Sequence, residues 1–368
     1  MKKRIFTTPE GVRDIYGGEC ANKLKLEAKL RNKLHLYGFE DIETPVFEFF
    51  DIFSEERGTV KAKDMYKFFD RDGNTLVLRP DMTPPIARCA GKYFKDETKT
   101  VRLCYCAHTF LNFSEYQGKM KEVTQLGCEL INDPSIVADA EMLAATIDCL
   151  LEAGLTEFRL DVGDVRPFKA LVEEAGLEED KIQILKDYIV DKNSFGVMDF
   201  LDEENVSAEM KAVLTELPQF FGGVECLDRF KKLTSNKEAI QAVDHLKSIY
   251  ELMKVYGFEK YISFDLGMIS KYRYYTGIIF HAFTYDIGEP VASGGRYDRL
   301  VGQFGKDAAA IGMAIITDKL LLALTRQGLL KELPEEIQNV SFTDNPEEAI
   351  KKAVSLRKDG INCLVSGK

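Results

Sequence analysis

Apolar and polar positions along the chain follow two different periods. ANKLKLEAKLRNKLHLYG (21–38) repeats its apolar residues at helical spacing. This predicts a helix with Leu24, Ala28, Leu30 and Leu34 inward and a stop at Gly38. FEDIETPVFE reads as a strand that Pro45 interrupts, placing it at an edge or bend. MYKFFDRDGNTLVLRPD (65–81) sets two apolar stretches around Asp72-Gly73, a hairpin signal. Thr83 is expected to cap the next helix, with Pro84 at its first position. TVRLCYCAHTF (100–110) and GKMKEVTQLGCELIN (118–132) read as strands. A helix from about Pro134 to Ala153 is expected to be capped by Asp133 and stopped by Gly154. FRLDVGD (158–164) is a strand, and 166–257 is mostly helical, most clearly in NKEAIQAVDHLKSIYELMKVYG (236–257). KYISFDLG (260–267) and the stretch 272–295 form antiparallel strands with a turn near Gly288. AIGMAIITDKLLLALTRQG (310–328) is a strand running into a helix. Strands therefore gather at 40–130 and 260–316, with helices between them. That order predicts an α+β fold: an antiparallel sheet flanked by helices, with a helical insertion at about 166–257.

Composition narrows the function class. The 368 residues suffice for one large domain or two ordinary ones. Lys plus Arg number 49 against 60 Asp plus Glu, a net charge of −11, which does not suit a protein whose main task is gripping nucleic-acid backbone. The opening MKKRIFTTPEG has no apolar signal region and no apolar run is long enough to cross a bilayer, so a cytoplasmic, membrane-free protein is expected. Eight scattered cysteines without a C-x-x-C pair read as reduced core thiols. The four histidines show no metal-ligand spacing, so no metal site and no cofactor are expected.

Four stretches could carry chemistry. Counted in twos from Lys119, the residues Lys119, Lys121, Val123, Gln125, Gly127 and Glu129 share one strand face. A phosphate suits the lysine end. A zwitterion or small cationic ring suits the Glu129 end, over the space left by Gly127. A solvated polar strand face produces the same pattern. Tyr274 and Tyr275, as strand neighbours, would point to opposite faces, one into the core and one toward a ligand. In LRPDMTPPIAR (78–88), Arg79 and Asp81 precede a helix start. In ASGGRYDRLVGQFG (292–305), Gly294 and Gly295 admit close backbone approach, and Arg296 either pairs with a carboxylate or lines a pocket.

Taken in order, TPEGVRD (8–14), GFEDIETP (38–45), LRPDMT (78–83), GKMKEVTQLGCELI (118–131), YYTGIIF (274–280), SGGRYDRL (293–300) and AIGMA (310–314) resemble a histidyl-tRNA synthetase core. The resemblance covers residues 6 to about 325. It implies a class II synthetase-like core over 1–325, built on an antiparallel six-stranded sheet. It also implies a short strand-helix-strand remnant of the anticodon-binding domain over 326–368. GFEDIETP is similar to the first class II motif, which builds a self-dimer; the stretch from Phe110 to Glu129 is similar to the second and AIGMAIITDKL to the third.

The groups that serve ATP in that family are missing here. Leu111 follows Phe110 where the family has arginine, and the third motif ends Ile316-Thr317-Asp318-Lys319 instead of Gly-Leu-Glu-Arg. Ser270-Lys271-Tyr272-Arg273 stands for Arg-Gly-Leu-Asp. Lysine has no planar guanidinium to fork or stack, and one lost charge-stabilising donor costs on the order of 10²–10³ in rate. The amino-acid side is kept: Asp81 in place of a glutamate, then Thr83, Gln125, Glu129, Tyr274 and Tyr275, with Arg296 nearby. Such a pattern is similar to the regulatory subunits of ATP phosphoribosyltransferase. That resemblance implies a non-catalytic chain that activates a short-form catalytic subunit at the first step of histidine biosynthesis. It further implies a hetero-octamer, histidine as ligand and no tRNA. A divergent synthetase or ligase using Lys119, Lys121 and Lys319 is the alternative, and a nucleic-acid-binding module a third reading.

Overall fold

A computed structural model describes residues 6–53, 60–113, 119–269, 274–330 and 337–367. The chain divides into two compact units, Met1–Leu329 and Leu330–Lys368.

The first helix, α1 (Gly17–Leu36), buries Lys23, Leu26, Leu30 and Leu34. Leu24 is 61% exposed and Ala28 also faces solvent, which corrects the predicted inward face. Residues 26, 30 and 34 rise four apart along one stripe, and positions 24 and 28 turn away from it. Lys23 belongs to the stripe because its ammonium is satisfied there, by Glu27 and by the Thr124 hydroxyl at 2.6 Å. The chain then forms β1 (Glu40–Asp41), breaks around Pro45, and continues as β2 (Phe47–Phe49), β3 (Lys67–Phe69) and β4 (Thr75–Leu78). The last three make a small antiparallel sheet ordered β2-β4-β3. In its hairpin, Asp70 Oδ1 accepts from the backbone N–H groups of Asp72 and Asn74, and Gly73 supplies φ +83°.

Helix α2 (Thr83–Tyr93) follows, with Met82 at its N-cap and no side-chain cap bond. Thr83 is thus not the cap; its hydroxyl is drawn to Glu129, 2.9 Å away. After β5 (Val101–Phe110) and β6 (Glu122–Ile131) comes α3 (Ile136–Ala153). Ser135, not Asp133, caps α3, its hydroxyl accepting from Ala138 N; Asp133 instead accepts from the Ser135 N–H at 2.9 Å. Gly154 ends α3 in the left-handed conformation at φ 95°.

Strand β7 (Phe158–Asp164) leads into a helical stretch: α4 (Val165–Glu174), α5 (Glu179–Val190), α6 (Ser194–Glu203), α7 (Ala208–Glu216), the short β8 (Phe221–Gly222), α8 (Glu225–Lys231) and α9 (Lys237–Tyr256). The chain returns through β9 (Ile262–Asp265), β10 (Ile278–Thr284), β11 (Ala292–Arg296), β12 (Ala310–Ile316) and α10 (Thr317–Arg326). In the second unit, β13 (Gln338–Ser341) and β14 (Cys363–Ser366) pair in parallel, connected by α11 (Pro346–Lys358). Among the described residues no helix is long and apolar enough to cross a membrane.

The main sheet has nine strands ordered β1-β5-β6-β12-β11-β10-β7-β9-β8. From β5 to β7 six strands run antiparallel in succession; β1 and β9 add in parallel at the two ends. The register fixes the faces, since directly opposed residues point the same way. One row reads Leu103, Glu129, Gly312, Gly295, Ile279 and Gly163; two residues along, Tyr105, Gly127, Ala314, Ser293, His281 and Asp161 share its face. Helix α2 packs on this side through Met82 and Ile86.

Arg296 lies on the opposite side. There the buried Asp139 of α3 accepts from Arg296 Nε at 2.8 Å and pairs with His245 Nε2 of α9 at 2.7 Å. Arg296 Nη1 also donates to the Asp133 carbonyl (3.1 Å) and to Asp298 (3.2 Å). One carboxylate therefore ties α3, β11 and α9 together. Replacing it leaves a guanidinium buried without its charge partner, so Asp139→Ala should lower stability by about 3–5 kcal/mol. Ser135→Ala, which removes only a cap, should cost about 1 kcal/mol. Urea unfolding of the two variants beside the parent checks both values; equal losses would refute the assigned role of Asp139.

Candidate functional site

The centre of the site is Glu129, a carboxyl only 1% exposed in the middle of β6. The Tyr297 hydroxyl donates to its Oε2 and the Thr83 hydroxyl to its Oε1. Burial pushes this carboxyl up to about 8, against the pull of those two hydroxyls, and the charge of Asp81 adds to the rise. At neutral pH the site thus holds mostly a neutral acid. Burial likewise raises the Tyr105 and Tyr297 phenols well above their usual range, so both remain protonated.

Glycines clear the floor of the site. A Cβ at Gly312 would fall 1.6 Å from Glu129 Oε2, and one at Gly127 would fall 2.6 Å from Tyr105 Oη. A Cβ at Gly295 would meet the Tyr275 ring at 2.7 Å. Tyr105 Oη and Gln125 Oε1 are buried and have no hydrogen-bond partner among the described residues. Two buried polar atoms without partners, beside a protonatable carboxyl, suit a small ligand that brings its own N–H donors.

Six of the seven residues singled out from the sequence gather here: Asp81, Thr83, Gln125, Glu129, Tyr274 and Tyr275. Asp81 also accepts from the Met82 N–H at 2.7 Å, fixing the start of α2. The tyrosine pair departs from expectation. Both residues precede β10 rather than lie on it, so strand alternation does not separate them. Their ring centroids are 4.5 Å apart, both pack on the core cluster of α2, and Tyr274 meets Tyr297 edge-on at 6.0 Å. Arg296 is the exception. Strand parity turns it and Gly294 to the helix-covered face, where Asp139 holds the guanidinium; only Gly295 and Tyr297 of that stretch reach the site.

Tyr105, Tyr297 and Gly312 are the members that sequence reasoning missed. Tyr297 had a signal: it stands two residues after Gly295 and so shares its face. Nothing local marks Gly312 or Tyr105, which reach the site through cross-strand pairing.

The neighbouring groups that could serve a nucleotide are engaged elsewhere. Lys319 Nζ lies 2.6 Å and Lys119 Nζ 3.3 Å from the same carboxylate, Glu289, which both hold below the usual glutamate range, Lys319 more strongly. Asp318 Oδ2 accepts from the Thr124 N–H at 2.6 Å. The departure at Ser270–Arg273 lies outside the described residues.

The raised carboxyl has a pH signature. Folded Glu129 keeps its proton up to about pH 8, whereas the unfolded chain loses it near 4.5. Across that window the folded state binds the extra proton, so stability falls as pH rises, by up to about 1.4 kcal/mol per pH unit. Glu129→Gln should flatten this slope between pH 5 and 8 in urea titrations. An unchanged slope would show that Glu129 is ionised in the folded chain.

Comparison with known proteins agrees with the fold. A family model described as histidyl-tRNA synthetase matches residues 11–320. The ATP phosphoribosyltransferase regulatory subunit of Acetivibrio thermocellus is 39% identical over 355 residues, covering 96% of this chain and 85% of that protein. Its namesake in Clostridium acetobutylicum is 39% identical over 370 residues, covering 100% and 90%. Among solved structures, one described as an ATP phosphoribosyltransferase regulatory subunit/histidyl-tRNA synthetase from Bacillus halodurans superposes with TM-score 0.89 at 31% identity, covering 98% of this chain and 93% of that one. A histidyl-tRNA synthetase from a Nostoc species reaches TM-score 0.80 at 22% identity, covering 98% and 85%, and shares the fold. The chain belongs to the histidyl-tRNA synthetase-like family with the class II fold and, within it, to the ATP phosphoribosyltransferase regulatory subunits.

Proposed function

We propose that this chain is a non-catalytic subunit that binds and activates a short-form ATP phosphoribosyltransferase catalytic subunit at the first step of histidine biosynthesis. The names of its relatives support the regulatory role. In this reading it assembles as a hetero-octamer with four catalytic chains, pairs with itself through the 38–45 region, and binds histidine, the pathway's end product. The observation that carries the non-catalytic part is the engagement of Lys119 and Lys319 by one carboxylate, Glu289. These are two of the lysines that a divergent ligase would need for its nucleotide. Leu111 supplies no charge where an α-phosphate would be met.

Gln125, Glu129 and the tyrosines give the ligand reading its chemistry. An ammonium group arriving at Glu129 favours the ionised carboxylate, and an imidazole offers an N–H to the unpartnered oxygen of Gln125 or of Tyr105. A ligand at this site alters the partner enzyme only to the extent that it binds one assembly state better than another.

Adding the purified chain to a short-form catalytic subunit that is weak alone should raise the rate of phosphoribosyl transfer to ATP. Gly127→Ala fills the floor beside Tyr105 and should abolish the heat of histidine binding in calorimetry while activation persists. Histidine- and ATP-dependent pyrophosphate exchange by the chain alone would overturn the non-catalytic assignment. Histidine heat that is unchanged by Gly127→Ala would overturn the ligand site.

A further inference from the structure

On the sheet face opposite the site, three ligating side chains from three separate elements converge. His35 sits in the last turn of α1, Asp41 on β1 and Cys104 on β5, with Asp41 and Cys104 adjacent in register. His35 Nε2 lies 3.1 Å from Asp41 Oδ2, and Cys104 Sγ lies 3.4 Å from Asp41 Oδ1. All three candidate ligand atoms fall within 4.8 Å of one another. We propose that His35, Asp41 and Cys104 form a binding site for a borderline-soft divalent cation, zinc in the first instance, with water completing the coordination.

Size and charge each support this. Zinc bonds of about 2.0–2.3 Å place tetrahedral ligands roughly 3.3–3.8 Å apart, so small side-chain adjustments close the triad around an ion. The mixed imidazole, carboxylate and thiolate donors suit zinc better than magnesium or calcium, which prefer oxygen alone. On binding, the Cys104 thiol proton leaves to solvent, and thiolate plus carboxylate then cancel the two positive charges. In the single chain His35 and Asp41 are exposed and Cys104 is buried beneath them, at the base of the triad. Two features oppose the metal: Arg31 Nε donates to Asp41 Oδ1 at 2.6 Å, and burial, with Asp41 beside it, pushes the Cys104 thiol up to about 12. Asp41 Oδ2, the oxygen nearer His35, remains for the ion.

Arg31 makes the proposal sharply testable. The full chain, stripped with a chelator, would be titrated with Zn²⁺ in competition with a chromophoric chelator. One equivalent should bind per chain, and His35→Gln and Cys104→Ser should each weaken binding by about tenfold or more. Arg31→Gln should tighten it, because Asp41 loses its competing cation. Co²⁺ in place of Zn²⁺ should show a thiolate charge-transfer band that Cys104→Ser lacks. His35 is a surface residue, so His35→Gln decides the matter even if Cys104→Ser proves unstable by circular dichroism. No uptake by the parent chain, or equal uptake by the parent and His35→Gln, would overturn the site.

Discussion

A carboxyl buried at the centre of an antiparallel sheet, with hydroxyls as its partners, governs the arrangement of this protein. Glu129 accepts from Tyr297 and Thr83, and these two bonds draw together β6, the segment after β11 and the start of α2. Desolvation keeps the proton on the carboxyl, so the core carries little unpaired charge there. The same group dictates its neighbours. Gly312 must be glycine because any side chain would collide with Oε2, and Gly127 because Tyr105 occupies the space above it.

The sheet separates two kinds of work by strand parity. Odd-numbered residues of β11 look onto the site and even-numbered ones onto the helices. On the helix side Arg296 and Asp139 lock α3, β11 and α9 with a buried ion pair. On the site side, buried oxygens of Tyr105 and Gln125 have no protein partner among the described residues. One face thus holds a buried ion pair that joins three elements, and the other carries buried oxygens with unused hydrogen-bonding capacity. Because α9 lies in the helical stretch between β7 and β9, the Asp139 contact is also a physical link between that stretch and β11.

Beside the candidate site charged side chains are paired with one another or with backbone. Glu289 draws in Lys119 and Lys319, and Asp318 bonds the backbone of β6 at Thr124. Glu289 thereby neutralises two cations that a phosphate would otherwise meet. Binding an amino acid needs satisfied donors and acceptors, whereas adenylation needs charge placed where the transition state develops it.

The sequence by itself determined most of the elements and the family. Strand alternation in 100–132, the Asp72-Gly73 hairpin, the Gly154 stop and the strand-to-helix run at 310–328 all depend on neighbours close in the chain. So does the order of motifs that resembles a class II core. Tertiary structure decided the rest. The inward stripe of α1 shifted to include Lys23 because Glu27 and Thr124 satisfy its ammonium, a fact no hydrophobicity pattern carries. Thr83 left its expected cap for Glu129, and the tyrosine pair sits ahead of its strand, where alternation does not apply. Tyr297 reaches Glu129 from 168 residues away, and Arg296 meets Asp139 from 157. Local periodicity shows which residues share a face within one element. Which faces then meet depends on strand register and helix docking, and those are set by packing across the whole chain.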